Sequence, residues 1–144
     1  MTVMTRLGVR LLLLPSWMIA FAILIKGYGD TGDGFSAGVV ASLGVLLQYL
    51  VFGVEPADTM PVVRYTRQIA AAGLFVALAV TFSPLLWGDT VLTHSPDVGE
   101  PAKHIGSVEL ITAFVFDIGI FLLVLGFCIG CIDLIARATP RKRP

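Results

Sequence analysis

The sequence predicts an all-α integral membrane protein, a single transmembrane domain over residues 1–144 built as a four-helix bundle with both termini in the cytoplasm. Three observations predict it. Hydrophobic residues make up 56% of the chain and charged residues only 14%, and the mean hydropathy is +0.89, a balance foreign to a water-soluble globule. Four apolar runs, about residues 7–26, 35–54, 67–87 and 108–136, each reach the roughly 20 residues needed to cross about 30 Å of hydrocarbon as a helix. The formal net charge is zero, yet eight of the ten basic residues lie on one side of this pattern: Arg6, Arg10, Arg64, Arg67, Arg137, Arg141, Lys142 and Arg143. Only Lys26 and Lys103 lie on the other, so the positive-inside rule puts both termini and the middle connection in the cytoplasm of a multi-pass protein of the inner (plasma) membrane.

The first run begins after two arginines and resembles a signal peptide, but it continues through Trp17 to Ile25 and reaches Lys26 without a small-residue cleavage site. It reads as a retained helix with Pro15 toward its cytoplasmic end. From Lys26 to Gly38 the apolar pattern breaks. Gly27, Gly29, Gly32 and Gly34 let the backbone turn tightly, and Asp30 and Asp33 bring charge to the same turn. Lys26 is close enough in sequence to pair with either acid.

The second run opens with Gly34, Phe35, Gly38 and Ser42, in which the small residues recur every four positions. That spacing lets a neighbouring helix approach closely, and Gln48 further along is placed to hydrogen-bond to one. The connection from Val54 to Pro61 holds two prolines and two carboxylates and reads as a short ordered link. The third run has no ionisable residue from Ile69 to Trp87; Ser83-Pro84 marks a break, and Trp87 suits an interfacial anchor. Between Gly88 and Val108 lies a polar stretch outside the cytoplasm. Its His94 and His104 are ten residues apart with no nearby cysteine pair, so they read as solvated residues and no metal is expected.

Asp117 is the sharpest feature. It lies eight residues after Glu109 within the last run, about 12 Å of helical rise. A carboxylate at such depth must face a protein or water-filled interior, pair with a cation, or stay protonated, and each outcome ties it to cation handling or to a buried polar contact. Glu109 marks the outer boundary and is either an access point for a cation or an acid placed to suit the helix dipole. Asp117, Phe121, Val124, Cys128 and Cys131 share one helical stripe. The Cys-x-x-Cys spacing does not support redox or zinc chemistry in an apolar helix, where the thiolate is disfavoured, so both cysteines read as small buried hydrophobes. Asp133 and Arg137 sit four apart and form a helical ion pair.

Two stretches carry a resemblance. Gly27 to Val40, GYGDTGDGFSAGVV, is similar to the Gly-His-Asn-x-Pro-Gly-Gly-Gly-Phe-x-Gly-Gly pattern between the early helices of the MnhB (MrpB) family, the B subunits of the multisubunit Mrp-type sodium/proton antiporters. Glu109 to Gly126, ELITAFVFDIGIFLLVLG, is similar to that family's last helix. Tyr28 stands where the family has histidine, Thr31 where it has proline, and Asp33 where it has a central glycine. The resemblance implies a small protein packed among larger partner subunits in the lipid bilayer, with Na+ and H+ as the transported ions, no cofactor and no nucleic acid. It places Asp117 and Glu109 as candidates for the ion path, and Gly34, Phe35 and Gly38 at matching positions. Related subunits in membrane-bound hydrogenases and other relatives of respiratory complex I keep a purely structural role open.

An enzyme reading, a membrane thiol oxidoreductase using Cys128 and Cys131, lacks a second cysteine pair and has its thiols near the wrong end of the helix. The expected function is therefore transport within an assembly.

Overall fold

The computed structural model describes residues 2–26, 33–83, 85 and 105–139, with the backbone alone for 105–110. Its regular elements among these residues are helices: α1 (Val3–Lys26), α2 (Asp33–Phe52), α3 (Val54–Ala57), α4 (Pro61–Arg64), α5 (Thr66–Phe82) and α6 (Ile105–Ala138). α1 runs unbroken through Pro15. α2 starts on Asp33, where a carboxylate meets the positive end of the helix dipole. It stops at Gly53, whose φ of 85° and ψ of −170° lie in a region that side chains exclude. Pro61 then sets the first turn of α4, a position at which its missing N–H costs nothing.

Among the described residues three helical stretches are long and apolar enough to cross a membrane: Val3–Lys26, Asp33–Phe52 and Ile111–Ala138. The third expected crossing is a shorter apolar helix of 17 residues, α5, about 25 Å of rise. α5 begins at Thr66, one residue before the expected run, and ends at Phe82, next to the Ser83-Pro84 break marked in the sequence.

Cross-helix contacts fix the directions. Gln48 reaches Val9 and Gly44 meets Ser16, so α2 runs antiparallel to α1. Gly34 meets Asp117, Gly38 meets Phe121 and Val124, and Tyr49 meets Asp133, so α2 runs parallel to α6. Gly73 and Ala77 meet α6 around Gly119, while Thr66 and Ala70 meet Gly126, so α5 runs antiparallel to α6. The helices thus alternate in direction along the chain. In space they pair in the series α1, α2, α6, α5, with only slight contact between α1 and α6. The start of α1, the end of α2, the start of α5 and the end of α6 consequently lie at one end, beside α3 and α4.

The core is a seam of small and branched residues. Ala37, Ala41, Val45 and Tyr49 on α2 face Phe121, Leu125 and Ile129 on α6, with Ala20 and Leu24 of α1 closing one side. Both rows step by four residues, the ridge along which helices interdigitate. The outside carries the large apolar side chains, among them Leu14, Phe75 and Phe127. Small residues inside and bulky ones outside are what close packing in lipid selects, since lipid tails are as apolar as leucine.

Candidate functional site

The α2–α6 seam has a carboxylate at each end. Asp117, Phe121, Leu125, Ile129 and Asp133 form one row at a spacing of four residues, and Asp133 lies 16 residues beyond Asp117, about 24 Å along the axis.

At the first end, Asp117 is 4% exposed. Gly34, the second residue of α2, packs directly on the Asp117 backbone carbonyl. That approach needs glycine, because any Cβ at this point would overlap the carbonyl oxygen. Four residues on, a methyl at Gly38 would stand 3.0 Å from Val124 Cβ and 3.1 Å from the Phe121 carbonyl. The buried carboxylate therefore belongs to a place where the N-terminal turn of α2, with its outward-facing N–H groups and positive dipole end, reaches α6.

This geometry gives the level of Asp117 relative to the helix beside it. Counted from Glu109 alone it stands about 12 Å inside a span, but α6 begins at Ile105 and overreaches α1 and α2. Measured against the helix it packs on, Asp117 is level with the first turn of α2. Asp117 and the start of the Gly34–Ser42 face are thus brought together. Glu109 is not brought to them: its backbone lies two turns up α6, and its side chain is outside the described residues.

The remaining candidates separate. Phe35 is exposed, Asp33 is partly buried, and Lys26 is exposed at the end of α1. Lys26 and Asp33 form no ion pair with each other; both ion pairs found among the described residues belong to Arg137. Asp30, with the rest of residues 27–32, lies outside the described residues, as do His94 and His104. Ser42 is buried and donates to the Val39 carbonyl at 2.8 Å. Gln48 Nε2 donates to the Val9 carbonyl at 2.7 Å, joining α2 to α1.

At the second end, Tyr49 Oη donates to Asp133 Oδ1 at 3.1 Å. Arg137 Nε donates to both Asp133 oxygens, at 2.9 and 3.0 Å, and Arg137 Nη2 reaches Asp58 Oδ1 at 2.7 Å. The helical pair of Asp133 and Arg137 is thus part of a four-residue clasp binding α2, α6 and the turn after α3. Sequence reasoning missed Tyr49 and Asp58, and the only available signal was that Tyr49 ends the Ala37–Ala41–Val45 row.

The stripe on α6 also differs from expectation. Asp117 and Phe121 are buried and Val124, partly buried, meets Gly38, but the buried row passes through Leu125 and Ile129, leaving Cys128 and Cys131 as free thiols that are only partly buried. A four-residue step advances the helix by about 40°, so a seam that follows this step turns away from the cysteines. Among the described residues no three histidine, cysteine or carboxylate side chains converge on a common point.

A seam of glycine and alanine beneath an apolar exterior, with an acid at each end of one interface, defines a polytopic helical membrane protein. A family model described as a domain related to the MnhB subunit of Na+/H+ antiporter matches residues 4–130, and the chain belongs to that family. The sequence is 33% identical over 122 residues to the Na(+)/H(+) antiporter B subunit of Alkalihalophilus pseudofirmus, covering 83% of each chain. It is 27% identical over 120 residues to the Na(+)/H(+) antiporter B subunit of Bacillus subtilis, covering 83% of this chain and 82% of that one. A probable K(+)/H(+) antiporter A/B subunit of Rhizobium meliloti is 30% identical over 125 residues, 86% of this chain but 12% of that longer one.

Proposed function

We propose that the chain is a small membrane subunit of a multisubunit cation/proton antiporter and that Asp117 borders the Na+/H+ path. Family membership across residues 4–130 carries the first part. The buried position of Asp117 at the mouth of the α2–α6 seam supports the second. A carboxylate there can hold a proton or, once ionised, a monovalent cation, but not both together. That exclusion is the elementary requirement of exchange. The relatives named for Na+ and for K+ differ in the cation attached to their names, and Na+ is the cation proposed here.

The topology follows the same reading. Arg6, Arg10, Arg64, Arg67 and Arg137 gather at the end where α1 starts and α6 finishes, which supports a reading with both termini in the cytoplasm of an inner (plasma) membrane protein with four crossings. α5 makes the short one. Larger subunits of the same complex cover part of the apolar exterior.

The packing of Gly34 on the backbone of Asp117 favours one competing role, a carboxylate that only holds α2 against α6. Exchange measured in everted vesicles separates the two. With Asp117→Asn and Asp117→Ala assembled at normal levels, loss of Na+/H+ exchange supports the path role, and unchanged exchange removes Asp117 from it.

A further inference from the structure

Near the end at which the basic residues gather, an apolar groove of about 250 Å³ runs between α1, α2 and the start of α4, lined by Leu13, Leu14, Trp17, Val45, Pro61 and Val62 among others. Its lining offers no exposed polar surface. The groove is open on one side and walled by apolar side chains, with Leu14 exposed at its edge, a surface that a flexible hydrocarbon chain can follow. Arg10 continues the groove on its polar side. Residues 10, 13, 14 and 17 share one face of α1, and Arg10 lies one turn nearer the basic end. Its side chain is exposed and has no acidic partner among the described residues. An apolar trough with an uncompensated guanidinium at its polar mouth has the chemistry of a phospholipid: hydrocarbon below, phosphate above.

We propose that this groove is a binding site for a phospholipid with an anionic headgroup, one acyl chain lying along Leu13, Leu14 and Trp17 and the phosphate meeting Arg10. The site rests on the membrane placement given above. It tethers the turn from Met60 to Val62 to α1 across this apolar wall.

Photocrosslinking in the assembled complex in native membranes tests it, with p-benzoylphenylalanine placed at Leu14, which is 70% exposed, and separately at Leu12, 50% exposed on the opposite face of α1, as a bulk-lipid reference. The expected result is a protein–lipid adduct with the mass of an anionic phospholipid, enriched over the Leu12 adducts by about fivefold, the factor that one basic residue near the surface supplies. Arg10→Gln abolishes the enrichment while leaving the Leu12 adducts unchanged. If the Leu14 probe impairs assembly on native gels, the same probe at exposed Pro61, on the facing wall, gives the equivalent readout. Crosslinking to a neighbouring protein, lipid adducts of the same composition at both positions, or no adduct at the groove overturns the proposal. Absence of lipid adducts at Leu12 as well overturns instead the membrane placement of α1.

Discussion

Tyr49 and Asp133 join by a 3.1 Å hydrogen bond at the point where the small-residue seam between α2 and α6 ends. The bond spans 84 positions of sequence, and Arg137 carries it on to Asp58 in the connection that leads to α5. One carboxylate, Asp133, thereby ties the end of α2 to the end of α6, while the guanidinium beside it ties α6 to the intervening turn.

Tyr49→Phe keeps the ring in the seam and removes only the donor. Because Asp133 retains Arg137, no carboxylate is stranded, and the expected loss is that of a single part-buried hydrogen bond, about 1 kcal/mol. Thermal unfolding of the detergent-purified protein should show a lowered midpoint. Arg137→Gln breaks both ion pairs at once. Its side chain is half exposed, so salt screens those pairs; the difference between wild type and Arg137→Gln should shrink as NaCl is raised. Melting curves at low and high salt check this.

Gln48→Leu tests the other polar link of α2. The amide is buried and donates to the Val9 carbonyl at 2.7 Å, and leucine keeps nearly its shape. Hydrogen bonds between membrane helices contribute about 0.6 kcal/mol on average and up to about 1.7 kcal/mol. The expected destabilisation lies in that range, read as a lower unfolding midpoint with unchanged helical content by circular dichroism.

The helices themselves are legible in the chain because a bilayer admits few alternatives: long apolar runs must satisfy their backbone internally. The small-residue spacing from Gly34 to Ser42 is legible for the same reason. Register between helices is not. Along runs apolar on every side, the hydrophobic pattern barely marks the face that meets a neighbour. That is why Tyr49 and Asp58 stay hidden, and why the stripe through Cys128 and Cys131 departs from the seam. The level of Asp117 is hidden likewise, since it is defined by Gly34 on a different helix and not by distance from Glu109.

Gly53→Ala addresses the exit from α2. With φ at 85° and ψ at −170°, the residue occupies a region open essentially to glycine, and an alanine held there costs about 1–3 kcal/mol. The connection through α3 and α4 depends on this turn, so the strain should also loosen the Asp58–Arg137 pair. Limited proteolysis is the direct measurement: cleavage between residues 53 and 65 should rise in the variant and stay low in the parent.

Gly34→Ala and Gly8→Ala add the same methyl to the same protein with opposite expectations. At Gly8 nothing lies within 4 Å of the added carbon, and the substitution raises helix propensity, so stability should hold or increase slightly. At Gly34 the methyl meets the backbone carbonyl of Asp117, a group that cannot rotate aside as a side chain would. The helices must separate, at a cost of about 1–3 kcal/mol, and the displacement falls on the segment of α6 that carries the buried carboxylate. Exchange in everted vesicles should therefore drop in Gly34→Ala even in complexes that assemble at wild-type level on native gels, while Gly8→Ala exchanges normally. Equal activity in the two variants would show that the spacing of α2 from Asp117 does not govern transport, and would leave Gly34 with a packing role alone.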